Sequence, residues 1–270
     1  MKFALVGGKK EEATKGATGL CQFCSSELIA KCGEIKVHHW SHKSKCNCDP
    51  WWENECEWHR AWKSEFPTEW QEVIHYDENG EKHIADVKTK NGWTLEFQHS
   101  FLNPEERRSR NTFYPKLLWV IDGLRRKKDK SQFQKILKEE STAVNGKPYI
   151  TQVRLPDECR LLKEWSNNSS LVFFDFQETN FSNELILWLL FPTNSLRNVF
   201  LSPVPRNELI ESLNNNNFEE LISNRISSLR SGIAEDERVR RTNNALRPPN
   251  KLTEFNRNMT NKQRRRLRRF

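Results

Sequence analysis

Two short apolar segments, Ile84-Ala85-Asp86-Val87 and Leu95-Glu96-Phe97-Gln98, constrain the fold of this chain more than any other feature. Each holds an acid inside apolar sequence, and the turn Lys90-Asn91-Gly92 lies between them. Asn-Gly between apolar-rich runs is a strong hairpin signal, so the spacing predicts two adjacent antiparallel strands. Side chains two apart on a strand share a face, which points Glu96 and Gln98 the same way. Burying either acid without compensation is costly. Carboxylates on neighbouring strands also repel unless a cation lies between them, and a hard divalent ion with oxygen ligands answers that need. The alternatives are a solubilising edge charge for Asp86 and a cross-strand Lys partner for Glu96.

The flanking sequence places this hairpin within a longer order of elements. Trp58, Trp62 and Phe66 recur every four residues, predicting a helix over 53–66 that Pro67 ends. Trp70 to Tyr76 reads as a strand, and Asp77-Glu78-Asn79-Gly80 turns it into the strand bearing Asp86. Asn103-Pro104-Glu105-Glu106 opens the next helix with an Asn N-cap, Pro at the first position and Glu at the third. Lys116 to Ile121 reads as a buried strand, and Asp129 starts a helix to about Glu140. The order is helix, three strands, helix, strand. Residues 1–50 read as a short strand and a loop-heavy Cys/His segment, and 51–141 as the core. Residues 142–230 read as a smaller α+β extension, its strands at 149–155, 171–176 and 185–191, its helices at 157–165 and 206–213. Residues 231–270 read as a basic tail with few large apolar side chains, expected to be mostly disordered.

The net charge of +8 is concentrated at one end. From Ser223 to Phe270 there are fourteen Lys or Arg against four Asp or Glu, so the rest is close to neutral. The ending Arg264-Arg265-Arg266-Leu267-Arg268-Arg269-Phe270 predicts polyanion binding through counterion release rather than base reading. A protein partner docking on the same segment is the competing expectation. Leu185 to Phe191, the longest apolar run, is far short of the ~20 residues that span a bilayer. Nothing near the N-terminus reads as a signal peptide, and seven Cys is an odd number, so reduced thiols and a cytoplasmic location are expected.

Cys21-x2-Cys24 followed by His39-x2-His42 has the composition of a closed structural Zn²⁺ site, with Cys32, His38, Cys46 and Cys48 as competing ligands. Ordinary reduced Cys and surface His are the alternative. A zinc knuckle is favoured because the segment has too few apolar residues for a core of its own. In the following helix Glu55, His59 and Lys63 lie four apart on one face, which by itself fits simple ion pairing. Next to strands bearing Asp86 and Glu96, Glu55 can complete a metal shell, with Glu53 and Glu57 as rivals. Arg107, Arg110 and Tyr114 share a face of the next helix and could meet a phosphate. Pairing of those arginines with Glu105 or Glu106 is the alternative.

Taken together, these motifs resemble the CoiA-like competence protein family, a branch of the PD-(D/E)xK nuclease superfamily. The resemblance rests on Cys21-x2-Cys24, His39-Trp-Ser-His42, Glu55-x3-His59-x3-Lys63, Ile84-Ala-Asp86-Val and Glu96-Phe-Gln98-His-Ser100. It continues through Arg110-x3-Tyr114 and Trp119-Val-Ile-Asp122, covers roughly residues 15–140, and is loose over 165–212. The resemblance implies an α/β fold with an αβββαβ restriction-endonuclease-like core. It also implies a divalent-metal site for Mg²⁺ or Mn²⁺ and DNA, single- or double-stranded, as substrate. Asp86 and Glu96 would bind metal with Glu55 assisting. Gln98 stands where the superfamily usually has Lys; it cannot move a proton, and Lys63 or His59 could supply the missing charge. The expected activity is DNA phosphodiester hydrolysis in competence, recombination or phage defence. A non-catalytic DNA-binding or recombination accessory protein, or a nuclease subunit of a larger defence complex, are the alternatives.

Overall fold

A computed structural model describes residues 1–51, 55–192 and 198–246. The first fifty residues form a five-stranded antiparallel sheet rather than a loop-heavy segment. Its strands are β1 (Phe3–Val6), β2 (Lys9–Glu12), β3 (Thr18–Leu20), β4 (Glu27–Lys31) and β5 (His39–His42), in the order β2-β1-β3-β4-β5. Gly7 and Gly8 join β1 to β2 with φ of 56° and 81°, the left-handed pair that a two-residue hairpin requires. Met1, Ala4, Leu28 and Trp40 pack into a small core with Cys21. These strands are short and β2 is entirely Lys and Glu, so they carry almost no alternation to read.

A nine-stranded sheet makes up the rest. After α1 (Glu57–Ser64) come β6 (Gln71–Tyr76), β7 (Lys82–Lys88), β8 (Thr94–Gln98), α2 (Pro104–Phe113) and β9 (Leu117–Asp122). Next follow α3 (Asp129–Glu139), β10 (Ser141–Val144), β11 (Lys147–Arg154), α4 (Arg160–Trp165), β12 (Leu171–Thr179), β13 (Leu185–Leu190) and β14 (Asn198–Pro205). The chain then forms α5 (Arg206–Asn214) and α6 (Phe218–Leu246). The strand order is β10-β11-β14-β13-β12-β9-β8-β7-β6, with β8, β9 and β12 parallel and the other pairs antiparallel. As the sequence predicts, the helix, three-strand, helix, strand order is present. The strands of 142–222 do not stand apart: β12 pairs with β9 and continues the same sheet.

All six residues of β9 are buried, as expected of a strand covered on both faces. Leu118 and Val120 pack in one core with Trp62 of α1, Phe66 just beyond it, Leu209 of α5 and Leu229 of α6. Leu117, Trp119 and Ile121 face Phe113, Phe133 of α3 and Trp165 of α4. The N-terminus of α2 forms as predicted, with Asn103 Oδ1 accepting the Glu105 N–H at 2.8 Å. Two strands of the large sheet were not legible. β10 is mostly exposed, and β14 contains Pro203 and Pro205, which ordinarily argue against a strand. Both prolines fall beyond Leu201, where the β11 ladder ends, so their missing donors cost no bond on that side.

The expectation of disorder from residue 231 is corrected by α6, which is helical to Leu246. Ile222 and Leu229 are buried on the sheet with Ile233 packed against them, and Arg238–Glu235 and Arg241–Glu237 pair along the exposed side. Three well-placed apolar residues and local ion pairs suffice for a helix in an otherwise polar sequence. Residues 247–270, including Arg264, Arg265, Arg266, Arg268 and Arg269, lie outside the described residues. Among the described residues no helix is long and apolar enough to cross a membrane.

Candidate active site and candidate metal centre

β7 and β8 pair only at Val87↔Leu95 and Lys88↔Thr94, then part. β7 continues along β6, while β8 continues along β9. Where they part, Asp86 Oδ2 accepts the Phe97 backbone N–H at 2.9 Å, so a side chain takes the place of the lost strand acceptor. Beside this divergence lies a small pocket of about 40 Å³, lined among others by Glu55, His59, Lys63, Asp86, Glu96 and Gln98. The structure thus brings together all six residues that the sequence singled out as catalytic.

Helix α1 supplies His59 and Lys63. His59 Nε2 stands 2.9 Å from Asp86 Oδ1. Lys63, only 1 % exposed, places Nζ 2.6 Å from Glu55 Oε1, 2.7 Å from Glu72 Oε1 and 3.7 Å from Asp86 Oδ1. Burial alone would strip its proton, but Glu55, Glu72 and Asp86 outweigh burial and raise its pKa. Burial likewise opposes the charge on Asp86, yet His59 and Lys63 hold its carboxyl below the usual range. Glu72, unremarked in the sequence, also accepts the backbone N–H groups of Lys2 (2.7 Å) and Phe3 (3.0 Å) and so ties the small sheet to the pocket.

Glu96 is in a different state. Arg110 Nη1 donates to its Oε2 at 2.8 Å, while Oε1 is buried with no hydrogen-bond partner. Burial and then the Asp86 charge push its carboxyl from 4.5 up to about 8, against the pull of Arg110. Arg110 also donates to the Trp51 carbonyl at 2.8 Å and pairs with Glu106. Trp51 in turn stacks on His83 at 3.3 Å. His83 Nδ1 stands 2.8 Å from Asp49 Oδ1, and Asp49 Oδ2 accepts the Ile84 N–H at 2.6 Å. Asp49 and Trp51 line the pocket and had no signal in the sequence beyond an isolated acid beside Pro50.

Several expectations are corrected by these contacts. Glu55 is not a bare ligand: Lys63 and Arg60 take its two oxygens at 2.6 Å each. Of its rivals, Glu57 lies on a neighbouring cavity and Glu53 lies outside the described residues. Arg107 packs on Trp165, 5.0 Å from the ring centre, and donates to the Glu164 carbonyl, so it turns away from the pocket. Arg110 is committed to Glu96 and Glu106 rather than to a phosphate, because a buried carboxylate needs it. Tyr114 is 1 % exposed and cannot meet a macromolecular ligand. Gln98 donates to Ser100 Oγ at 3.0 Å, which fastens the segment leaving β8.

Among the described residues one group of three or more side chains has its ligand atoms within metal reach of one another: Cys21, Cys24, His42 and Cys48, all within 4.8 Å. Asp86, Glu96 and Glu55 do not form such a group. Cys21 Sγ and Cys48 Sγ are 3.7 Å apart, close to the ~3.8 Å edge of a tetrahedron with Zn–S of about 2.3 Å. Cys24 Sγ lies 3.3 Å from His42 Nε2. Against burial, Ser26 and His42 bring the Cys24 thiol down to about 6, favouring thiolate. This cluster could hold zinc, with Cys48 in the place expected for His39. The reason is the strand: His39 and His42 are three apart on β5 and point to opposite faces. His39 Nδ1 instead lies 2.9 Å from the Val37 carbonyl oxygen.

Compared with protein-family models, curated proteins and solved structures, the chain matches none.

Proposed function

We propose that the protein is a divalent-metal-dependent nuclease that hydrolyses DNA phosphodiester bonds, built on a PD-(D/E)xK-type core. The observation carrying this reading is the unpartnered Glu96 Oε1, buried in one pocket with Asp86. Burial, and then the Asp86 charge, raise Glu96 to about 8 despite Arg110, so the pair of acids can take further positive charge. A hard cation fits that donor set: Mg²⁺ is commonly bound through one or two carboxylates and keeps several waters. Asp86 and Glu96 would hold it, and it would supply an activated water and neutralise charge building on the phosphate.

The chain's own residues have separable tasks in this reading. His59 and Lys63 keep Asp86 ionised, and the Phe97 N–H fixes one of its oxygens. Arg110 steadies one oxygen of Glu96 and leaves the other without a hydrogen-bond partner. Lys63 brings the positive charge that Gln98 cannot, from a helix rather than from β8. Gln98 anchors the strand end through Ser100 and moves no proton. The basic residues of 247–270 supply non-specific DNA affinity.

A DNA-binding accessory protein without hydrolysis is the second reading. It is favoured by the Arg110–Glu96 pair, which already neutralises one candidate ligand, and by Gln98 in the place of a lysine. Cleavage of plasmid and single-stranded DNA with Mg²⁺, Mn²⁺ or EDTA decides between them. Metal-dependent cleavage by wild type, lost in Asp86→Asn and Glu96→Gln, is the expected result. DNA binding with no cleavage under any metal would establish the accessory reading.

A further inference from the structure

We propose that the Cys/His cluster positions the pocket. The strap from Cys48 through Asp49 to Trp51 holds Arg110, and Arg110 holds Glu96, so zinc loading sets the geometry of the Glu96 carboxylate. The consequence for divalent-cation binding rests on the function proposed above; the strap itself does not.

The relay is continuous. Cys48 is the last ligand in the cluster, and the next residue, Asp49, is buried. Its Oδ1 accepts the Trp51 N–H at 3.0 Å and faces His83 Nδ1 at 2.8 Å, while Oδ2 accepts the Ile84 N–H at 2.6 Å. Ile84 is on β7, two residues before Asp86. The Trp51 indole lies flat on His83, with 12° between the rings, and its backbone N–H is held by Asp49, so both ends of the residue are anchored. That carbonyl accepts from Arg110 Nη2 at 2.8 Å, and the Arg110 guanidinium lies 5.5 Å from the Trp51 ring centre. Its Nη1 reaches Glu96 Oε2 at 2.8 Å.

Trp51 belongs to no strand, so no ladder fixes its carbonyl. Its position follows from Asp49 and from the cluster immediately before it. Metal binding to Cys and His ligands supplies folding free energy to the segment that carries them. Losing the ion frees Cys48, and the strap loses its upstream anchor. Arg110 then keeps Glu106 on its own helix and Glu96 across the pocket but loses the Trp51 carbonyl that constrains its Nη2. Side chains that orient a ligand without touching the metal typically change its affinity by tenfold or more. Asp49 and Trp51 are therefore positioning residues for Glu96, acting through Arg110.

The test uses the full chain, zinc-loaded and after chelation, with hydrogen exchange read at the Arg110 guanidinium and the Ile84 amide. Mn²⁺ affinity is measured in parallel, and the buried Val120 amide of β9 reports that the large sheet persists. The expected result is faster exchange at both sites on zinc removal and Mn²⁺ affinity lowered on the order of tenfold, with Val120 unchanged and zinc addition reversing both. Should chelation unfold the sheet, zinc-loaded Asp49→Ala decides, with faster Arg110 exchange expected despite retained zinc. Wild-type Arg110 exchange in Asp49→Ala, or in stripped protein that stays folded, overturns the proposal. Absence of Mn²⁺ binding in wild type counts against the nuclease reading alone, because the exchange measurements still judge the strap.

Discussion

Asp86 Oδ2 accepts the Phe97 backbone N–H at 2.9 Å across the gap where β7 and β8 part. The carboxylate therefore has a structural duty besides any role in chemistry. Asp86→Ala would leave that buried donor unpaired and remove one of the counter-charges around Lys63. The expected loss of stability is about 1–3 kcal/mol. Asp86→Asn, which keeps an acceptor oxygen, should lose less, while both variants lose cleavage. Urea midpoints of the three proteins measure this, and an alanine variant as stable as wild type would contradict it.

Glu96 predicts an unusual pH dependence. Its carboxyl is raised from 4.5 to about 8, so between those values the folded state binds more protons than the unfolded one. Its contribution to stability is complete below pH 4.5 and is lost as pH rises through about 8, with ~1.4 kcal/mol per unit as the ceiling. Glu96→Gln should flatten that decline. Thermal unfolding from pH 5 to 9 without divalent metal checks it; an identical slope in both proteins would dismiss the buried-acid account.

Zinc content separates Cys48 from His39. Wild type and His39→Ala should each carry about one zinc per chain, by the four-ligand closed site. Cys48→Ser should lose it. Elemental analysis of freshly purified, unchelated protein is the measurement, and zinc lost with His39 but kept without Cys48 would reverse the assignment.

Lys63 is enclosed by Glu55, Glu72 and Asp86. Replacing one side of a buried ion pair with an apolar group typically costs about 3–5 kcal/mol. Lys63→Met should destabilise by that amount, and adding Glu72→Gln should recover part of it. A double-mutant cycle by chemical denaturation tests the coupling; strictly additive losses would mean that the contact contributes nothing.

Deleting residues 247–270 should weaken DNA binding at low salt and reduce the log–log salt slope. The expected reduction is ~0.9 per lost phosphate contact on duplex DNA and ~0.7 on single strands. Cleavage at saturating DNA should survive, because the pocket residues all precede that segment. An unchanged slope would indicate a protein partner for the basic segment.

Much of the site was legible because its signals are local. The Asn91-Gly92 turn, the four-residue spacing of His59 and Lys63, and the Asn103 cap each follow from short-range geometry, whereas Glu55 precedes α1 and meets Lys63 from outside the helix on which its spacing had placed it. What could not be read depends on distant pairing. Glu72 reaches Lys63 and the first strand only through the tertiary fold, and Asp49 acquires partners on β7. The choice of His39 over Cys48 failed because the segment was read as a loop, where the strand rule that parts His39 from His42 has no force. Pro203 and Pro205 hid β14, since their tolerance depends on where a neighbouring ladder stops.

The parallel pairing of β9 with β12 has a consequence for how this protein can be cut and made. Leu118 aligns with Leu171 and Val120 with Phe173, so the strand next to the pocket strand β8 is covered by chain synthesised much later. A fragment ending near residue 141 would retain every acid of the pocket yet expose the whole flank of β9, a fully buried apolar strand. Such an open edge recruits other chains. Excised fragments of this kind should aggregate, and during synthesis the nascent chain must keep that edge from self-association until β12 has emerged.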